Sequence, residues 1–263
     1  FEISFDKNSV IDEGFRKAFS ELISLILNSS DQKRIALTKL NEIKGMIETF
    51  SIKEEKFIDE IYFVNLGVTF NKKKVFDYLE KKNIFPSIPV EKKILFIPII
   101  IDESKKDLLI FSSNKIFDKW NSLSKNYFLL EYILPSEDLE DINLIKSKYE
   151  NIEKYNFKEI IDKYSLSDSI VALFYKNKNE VRVLTRITIL DNIILKNKTF
   201  SGIDLDNTEQ VESIINDLKI IYEDYWKNFN QINTSIRLTL NIKTKNSNNL
   251  KISNFEKILN QTD

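Results

Sequence analysis

The sequence predicts an α/β fold with a mixed sheet, and three observations carry that expectation. Apolar residues recur at helical spacing in the first and last quarters of the chain. A continuous apolar run, Ile94-Leu-Phe-Ile-Pro-Ile-Ile-Ile101, lies between them. Three strand-like segments then follow one another between residues 169 and 200, joined by polar turns. Helices alternating with strands before such a meander imply a sheet that is partly parallel and partly antiparallel.

From Ser9, the positions Phe15, Phe19, Leu22, Ile23 and Ile26 share one helical face, and Asn28-Ser-Ser-Asp31 closes that helix and caps the next. A second helix is expected to carry Ile35, Leu40, Ile43, Met46, Ile47 and Phe50. From Ile61 to Phe70 the period falls to two, which predicts a strand with one well-buried face. Asn71 is placed to cap a helix through Val75, Phe76 and Leu79. Residues 1–85 thus read as an N-terminal ααβα domain, and Pro86 and Pro89 punctuate the connector that ends it.

Residues 90–243 read as a mixed-sheet α/β domain. Ile94 to Ile101 has the character of a strand buried on both faces. A helix over Asn114 to Ser122, a strand over Phe128 to Leu134 and one or two helices from Asp138 to Tyr164 follow. Ser169 to Tyr175, Glu180 to Leu190 and Asn192 to Phe200 are three strands, with Asn177-Lys-Asn179 as the hairpin turn. A long helix from Thr208 to Phe229 buries Val211, Ile214, Ile215, Leu218, Ile221, Tyr222 and Tyr225, and Ser235 to Ile242 is a last strand. Residues 244–263 are expected to be a polar linker and the start of a further domain, with an amphipathic helix beginning at Ile252. The first residue is Phe1, so a trimmed leader, a secretory signal among the candidates, is expected before it.

Composition excludes much familiar chemistry. Without histidine or cysteine there is no Ser-His-Asp or Cys-His nucleophile system, no redox CxxC and no zinc site of the usual ligand set. Four glycines, at positions 14, 45, 67 and 202, form none of the phosphate-binding or nucleophile-elbow motifs. With 39 basic against 40 acidic residues the chain lacks the footprint of a nucleic-acid binder. Its apolar runs fall far short of the roughly 20 residues that cross a bilayer. No cofactor is expected.

Carboxylates provide the sharpest remaining candidate. Asp102 and Asp107 follow one predicted central strand, and Asp138 and Asp141 follow another. In open α/β sheets ligands bind outside the carboxyl ends of strands, so these acids could meet around magnesium or calcium. The plainer reading makes Ser136-Glu-Asp-Leu-Glu-Asp141 a helix N-terminus, where caps and acids are expected without function. Arg182 and Arg186 share one strand face and could meet a partner or simply face solvent. Trp120 and Trp226 sit on predicted helices as core or groove anchors, and are the aromatic candidates for partner contact.

Several local patterns occur in an order that resembles a family of bacterial envelope proteins described only as domain of unknown function 2066. They are the helix Gly14-Phe-Arg-Lys-Ala-Phe-Ser-Glu-Leu22, the strand-to-helix segment Leu66 to Leu79, the strand Ile94-Leu-Phe-Ile-Pro98 and the turn Leu134-Pro-Ser-Glu-Asp-Leu-Glu-Asp141. Lys163 to Val171 and Tyr225-Trp-Lys227 complete the series. The resemblance implies an exported, periplasmic chain whose middle domain is similar in outline to the TolB amino-terminal domain. It carries over no catalytic residue. The function expected is a non-enzymatic interaction or assembly module contacting other envelope proteins. The alternative is a divalent-metal-dependent hydrolase or ligand-binding protein built on Asp102, Asp107, Asp138 and Asp141.

Overall fold

The computed structural model describes residues 7–58, 61–123, 128–177 and 180–232. The expected strand at 235–242, the linker and helix start beyond it, and the Lys178-Asn179 turn lie outside the described residues. All described residues belong to one compact unit.

The chain opens with α1 (Lys7–Ile26), α2 (Ser29–Ile35) and α3 (Leu40–Met46), then a hairpin of β1 (Ile47–Ile58) and β2 (Ile61–Phe70), then α4 (Lys72–Glu80). The two expected caps are present. The Asn28 side chain accepts from the Asp31 N–H at 2.9 Å, and Asn71 accepts from the Lys74 N–H at 3.1 Å. One expectation fails: the single second helix is two short ones, and its predicted tail is β1. Met46, Ile47 and Phe50 fit a helical face, yet β1 pairs with β2 from Ile47↔Phe70 to Ile58↔Ile61. Backbone pairing across the hairpin thereby overrides a local spacing that suits either structure.

The register puts Ile47, Phe50 and Ile52 opposite Phe70, Val68 and Leu66, on one face of the hairpin. Helix α1 covers that face. Phe15 meets Phe50 edge-on at 5.0 Å and Phe19 meets Phe70 at 6.0 Å. A side chain at Gly14 would place its Cβ 2.3 Å from Leu66 Cδ1, so the end of Leu66 would have to shift to admit one. One helix on two strands covers little, and Tyr62 to Phe70 of β2 are half-buried or exposed instead of having the well-buried face their alternation suggested.

The main sheet contains β3 (Lys92–Asp102), β4 (Asp107–Leu109), β5 (Leu130–Ile133), β6 (Ser169–Asn177), β7 (Glu180–Ile189) and β8 (Asn192–Ser201). Strand β3 runs parallel to β5 and β6 and antiparallel to β4, while β6, β7 and β8 form an antiparallel meander. The sheet is therefore mixed. β5 pairs with residues 92–95 of β3 and β4 with residues 100–102, so two short strands share one side of it. Strand β4 escaped sequence reading because three residues carry no period.

Helices α5 (Lys115–Trp120) and α8 (Thr208–Phe229) pack on one face of the sheet, around Phe96, Trp120, Phe174 and Tyr222. Helices α6 (Leu139–Ser147) and α7 (Lys158–Ile161) pack on the other, around Ile97, Phe157, Ile160 and Leu173. Strand β3 is buried from Ile94 through Asp102, as its unbroken apolar run required. The N-terminal elements keep a core of their own, centred on Phe15, Phe19, Ile43 and Leu79. They join the sheet layer through the Ser29 N–H donating to Asp224 Oδ1 at 2.7 Å, and through the connector, where Ile232 N–H donates to the Pro86 carbonyl at 2.8 Å.

Candidate functional site

The four candidate carboxylates occupy two separate arrangements. Asp102 ends β3 and lies opposite Asp107 of β4 in register. Its buried Oδ1 accepts from the N–H groups of Ser104 and Lys105, which makes it the organiser of the turn between the strands. Asp107 is half-exposed and faces Lys146 at 3.5 Å. Asp138 is the N-cap of α6, accepting from the Glu140 N–H at 2.9 Å. Asp141, one turn on, is buried, and Lys163 Nζ stands 3.1 Å from Asp138 and 2.6 Å from Asp141. The ammonium and cap hydrogen bond hold the Asp138 carboxyl below its usual range, the N–H of Glu140 contributing most. Among the described residues no three Asp or Glu side chains come together as a metal-ligand set. Each pair is served by backbone N–H groups and a lysine instead.

Both arginines lie against the segment ahead of α7. Arg186 donates from Nη1 to the Tyr155 carbonyl and from Nη2 to the Glu153 carbonyl, each at 2.6 Å, and so pins the segment ahead of α7 onto β7. Arg182 lies over the Tyr175 ring at 4.2 Å and pairs with Glu153 at 3.3 Å. The tryptophans belong to the core. Trp120 is fully buried and stacks on Phe96 with ring centroids 3.8 Å apart, while the Trp226 indole donates to the Val90 carbonyl at 2.6 Å. Neither presents a surface to a partner, because each fills the space between α8 and β3 or its connector.

Sequence reading missed a different group. Helix α8 buries Lys219, Glu223 and Lys227, one turn apart along the helix, each no more than 5% exposed. Glu223 accepts from the N–H groups of Leu129 and Leu130 at 3.1 and 2.8 Å, so a side chain closes the backbone of the chain entering β5. Burial raises its carboxyl above the usual range although those two donors pull the other way. Lys227 donates to the Ser24 carbonyl of α1, and burial lowers its ammonium against the opposing pull of Glu223 and Asp224. Lys219 donates to the Leu123 carbonyl at 2.9 Å, with the rings of Tyr132, Trp120 and Phe128 at 5.3, 5.4 and 5.7 Å. Burial pushes its pKa down to about 8, opposed by the charge of Glu223.

The row borders two cavities. One, of about 140 Å³, lies between Ser24, Ser29, Glu223, Asp224 and Lys227. The other, of about 470 Å³, runs along β5 and is walled by Lys219, Phe128, Leu130, Tyr132 and Ile133, with Glu91 and Glu131 beside it. The signal for this site was present in the chain: at 3.6 residues per turn Lys219 falls between Ile215 and Tyr222, inside the apolar stripe of α8.

Comparison of the chain with protein-family models, with curated proteins and with solved structures returns no match. Among the described residues no helix is long and apolar enough to cross a membrane.

Proposed function

We propose that this chain is a non-enzymatic interaction or assembly module of the bacterial cell envelope, acting in the periplasm on other envelope proteins. The observation that carries the reading is the arm formed by α1 and the β1–β2 hairpin. Phe50, Ile52, Phe57, Ile58 and Phe63 each leave more than a third of their surface exposed within one hairpin. A two-stranded sheet is marginal in water by itself, and a concentration of large apolar side chains on such an element favours coverage by a partner. Periplasmic placement draws on the resemblance of the order of segments from Gly14 to Lys227 to that of the envelope family.

Crosslinking the tagged protein in living cells, followed by purification under denaturing conditions, tests the reading. The expected result is one reproducible envelope partner whose yield falls in the Ile58→Asp/Phe63→Asp variant, both changed residues being exposed, while its circular dichroism matches that of the wild type. Equal capture by the variant, or turnover of a phosphoester, glycoside or ester abolished by a single substitution, would overturn it.

A further inference from the structure

Lys219 is a buried amine with no carboxylate paired to it among the described residues. It is 2% exposed, its one hydrogen bond goes to the Leu123 carbonyl, and no ion pair reaches it among the described residues. Glu223, one turn along α8, directs both oxygens to the Leu129 and Leu130 N–H groups. Three aromatic rings around Nζ return part of the lost hydration of an ammonium, as cation–π contacts do, but less than water or a carboxylate would. A neutral nitrogen therefore suits this position better than a charged one. The lysine also forms part of the wall of the 470 Å³ cavity along β5, a volume within the range of small-molecule sites. Tyr132 also lines that cavity, and its hydroxyl is buried with no hydrogen-bond partner among the described residues, so that burial keeps it protonated.

We propose that Lys219 is a carbonyl-reactive amine that captures a small, neutral aldehyde in the β5 cavity as a reversible imine. The neutral amine attacks the carbonyl carbon, a C–N bond forms, and the carbonyl oxygen takes up a proton. The resulting carbinolamine loses that oxygen as water, with the remaining nitrogen proton, and a C=N bond is left. No oxidant or reductant is needed, and water is the only by-product. Condensation removes the buried charge at the cost of the Leu123 hydrogen bond. The ligand class follows from the walls: Phe128, Leu130 and Ile133 suit an apolar body, while Glu91 and Glu131 disfavour a carboxylate or phosphate on it. This is stoichiometric capture without turnover, distinct from the hairpin surface proposed above.

Treatment of the intact chain with benzaldehyde and cyanoborohydride at pH 7.5, followed by peptide mapping, tests this without any substitution. Lys219 is expected to carry about tenfold or more label than exposed lysines, since its free-amine fraction at that pH is larger by roughly a hundredfold. Its labelling should be half-maximal near pH 8, and glyoxylate, an anionic aldehyde, should label it less. The Lys219→Met variant, which keeps an apolar stem among the rings, should lose that one labelled peptide while its circular dichroism stays unchanged. Label spread evenly over surface lysines, a Lys219 unlabelled at pH 8.5, or glyoxylate labelling it more than benzaldehyde would each overturn the proposal.

Discussion

Asn114 completes the side of β3 that its strands leave open, donating from Nδ2 to the carbonyl of Pro98 at 3.0 Å. Along β3 the N–H of Leu95 points to β6 and that of Lys92 towards β5, so by alternation residue 98 faces the gap between β5 and β4. Proline is tolerated in this central strand because no neighbouring strand asks for its N–H there. Asn114 fills the gap and, through Oδ1, accepts from the Ile116 and Phe117 N–H groups at the start of α5. Asn114→Ala removes both a buried hydrogen bond and a cap, and should cost about 3 kcal/mol in urea unfolding. Asn114→Asp keeps a good cap but sets a carboxylate against the Pro98 carbonyl. An Asp variant as stable as the wild type would show that the cap alone matters.

The turn joining β7 to β8 is built from residues that the geometry does not favour. Leu190 and Asp191 have φ of 49° and 64°, the left-handed conformation at both centres of a two-residue hairpin, where Asn-Gly is preferred. The expected Asn192-to-Phe200 strand and this tight connection agree, but the turn chemistry is unusual. Leu190→Asn with Asp191→Gly should raise stability by about 1 kcal/mol, visible as a higher melting temperature. The Leu190 N–H bond to Asp168 Oδ1, 2.9 Å, involves only backbone at this end and is kept. A lower melting temperature would mean that Leu190 or Asp191 makes a contribution beyond the turn.

The two arginines of β7 should behave differently although they share a strand face. Arg186 satisfies two carbonyls that α7 and its preceding turns leave unpaired, whereas Arg182 makes a half-exposed ion pair. Arg186→Ala should cost about 2 kcal/mol and speed amide exchange across residues 149–157, while Arg182→Ala should cost about 1 kcal/mol or less. Unchanged exchange in the Arg186 variant would reopen a partner-contact role for that side chain.

These arrangements differ in how far the chain announces them. Strands β6 to β8 and helix α8 were legible almost to the residue: β7 and α8 sustain one period, β6 is an apolar run, and polar turns bound all three strands. β1 was not, because Ile47 and Phe50 satisfy a helical spacing after Met46 and only pairing with β2 decides between the two. The acids after β3 and β5 were visible as a cluster in sequence, but each one's partner, an N–H group or Lys163, is set by tertiary placement. Lys219, Glu223 and Lys227 were hidden by the expectation that charged residues face water, which holds until a turn such as that before β5 offers backbone donors to a buried acid.

That buried row makes stability rise with pH in an unusual window. Between the folded pKa of Lys219, about 8, and its ordinary 10.5, the unfolded chain carries a proton that the folded chain has released, so raising pH favours folding; Lys227, lowered in the same sense, adds to this. Below that window the opposite slope comes from Glu223: its raised pKa means the folded chain holds a proton the unfolded one has lost, and stability declines as pH climbs from 4.5 through the folded value. Above about pH 10 the buried hydroxyls of Tyr132, Tyr175 and Tyr222 stay protonated while the unfolded chain's tyrosines ionise, and stability falls again. Urea midpoints should therefore pass through a maximum between pH 9 and 10. The Lys219 contribution to the rise from pH 7 is at most on the order of 3 kcal/mol. Lys219→Met, which keeps an apolar stem among the rings of Trp120, Phe128 and Tyr132, should be more stable than wild type at pH 7 and show a shallower rise. Wild-type midpoints that fall steadily from pH 8 would show that the lysine remains charged through the whole range and that its cage solvates an ammonium as well as water does.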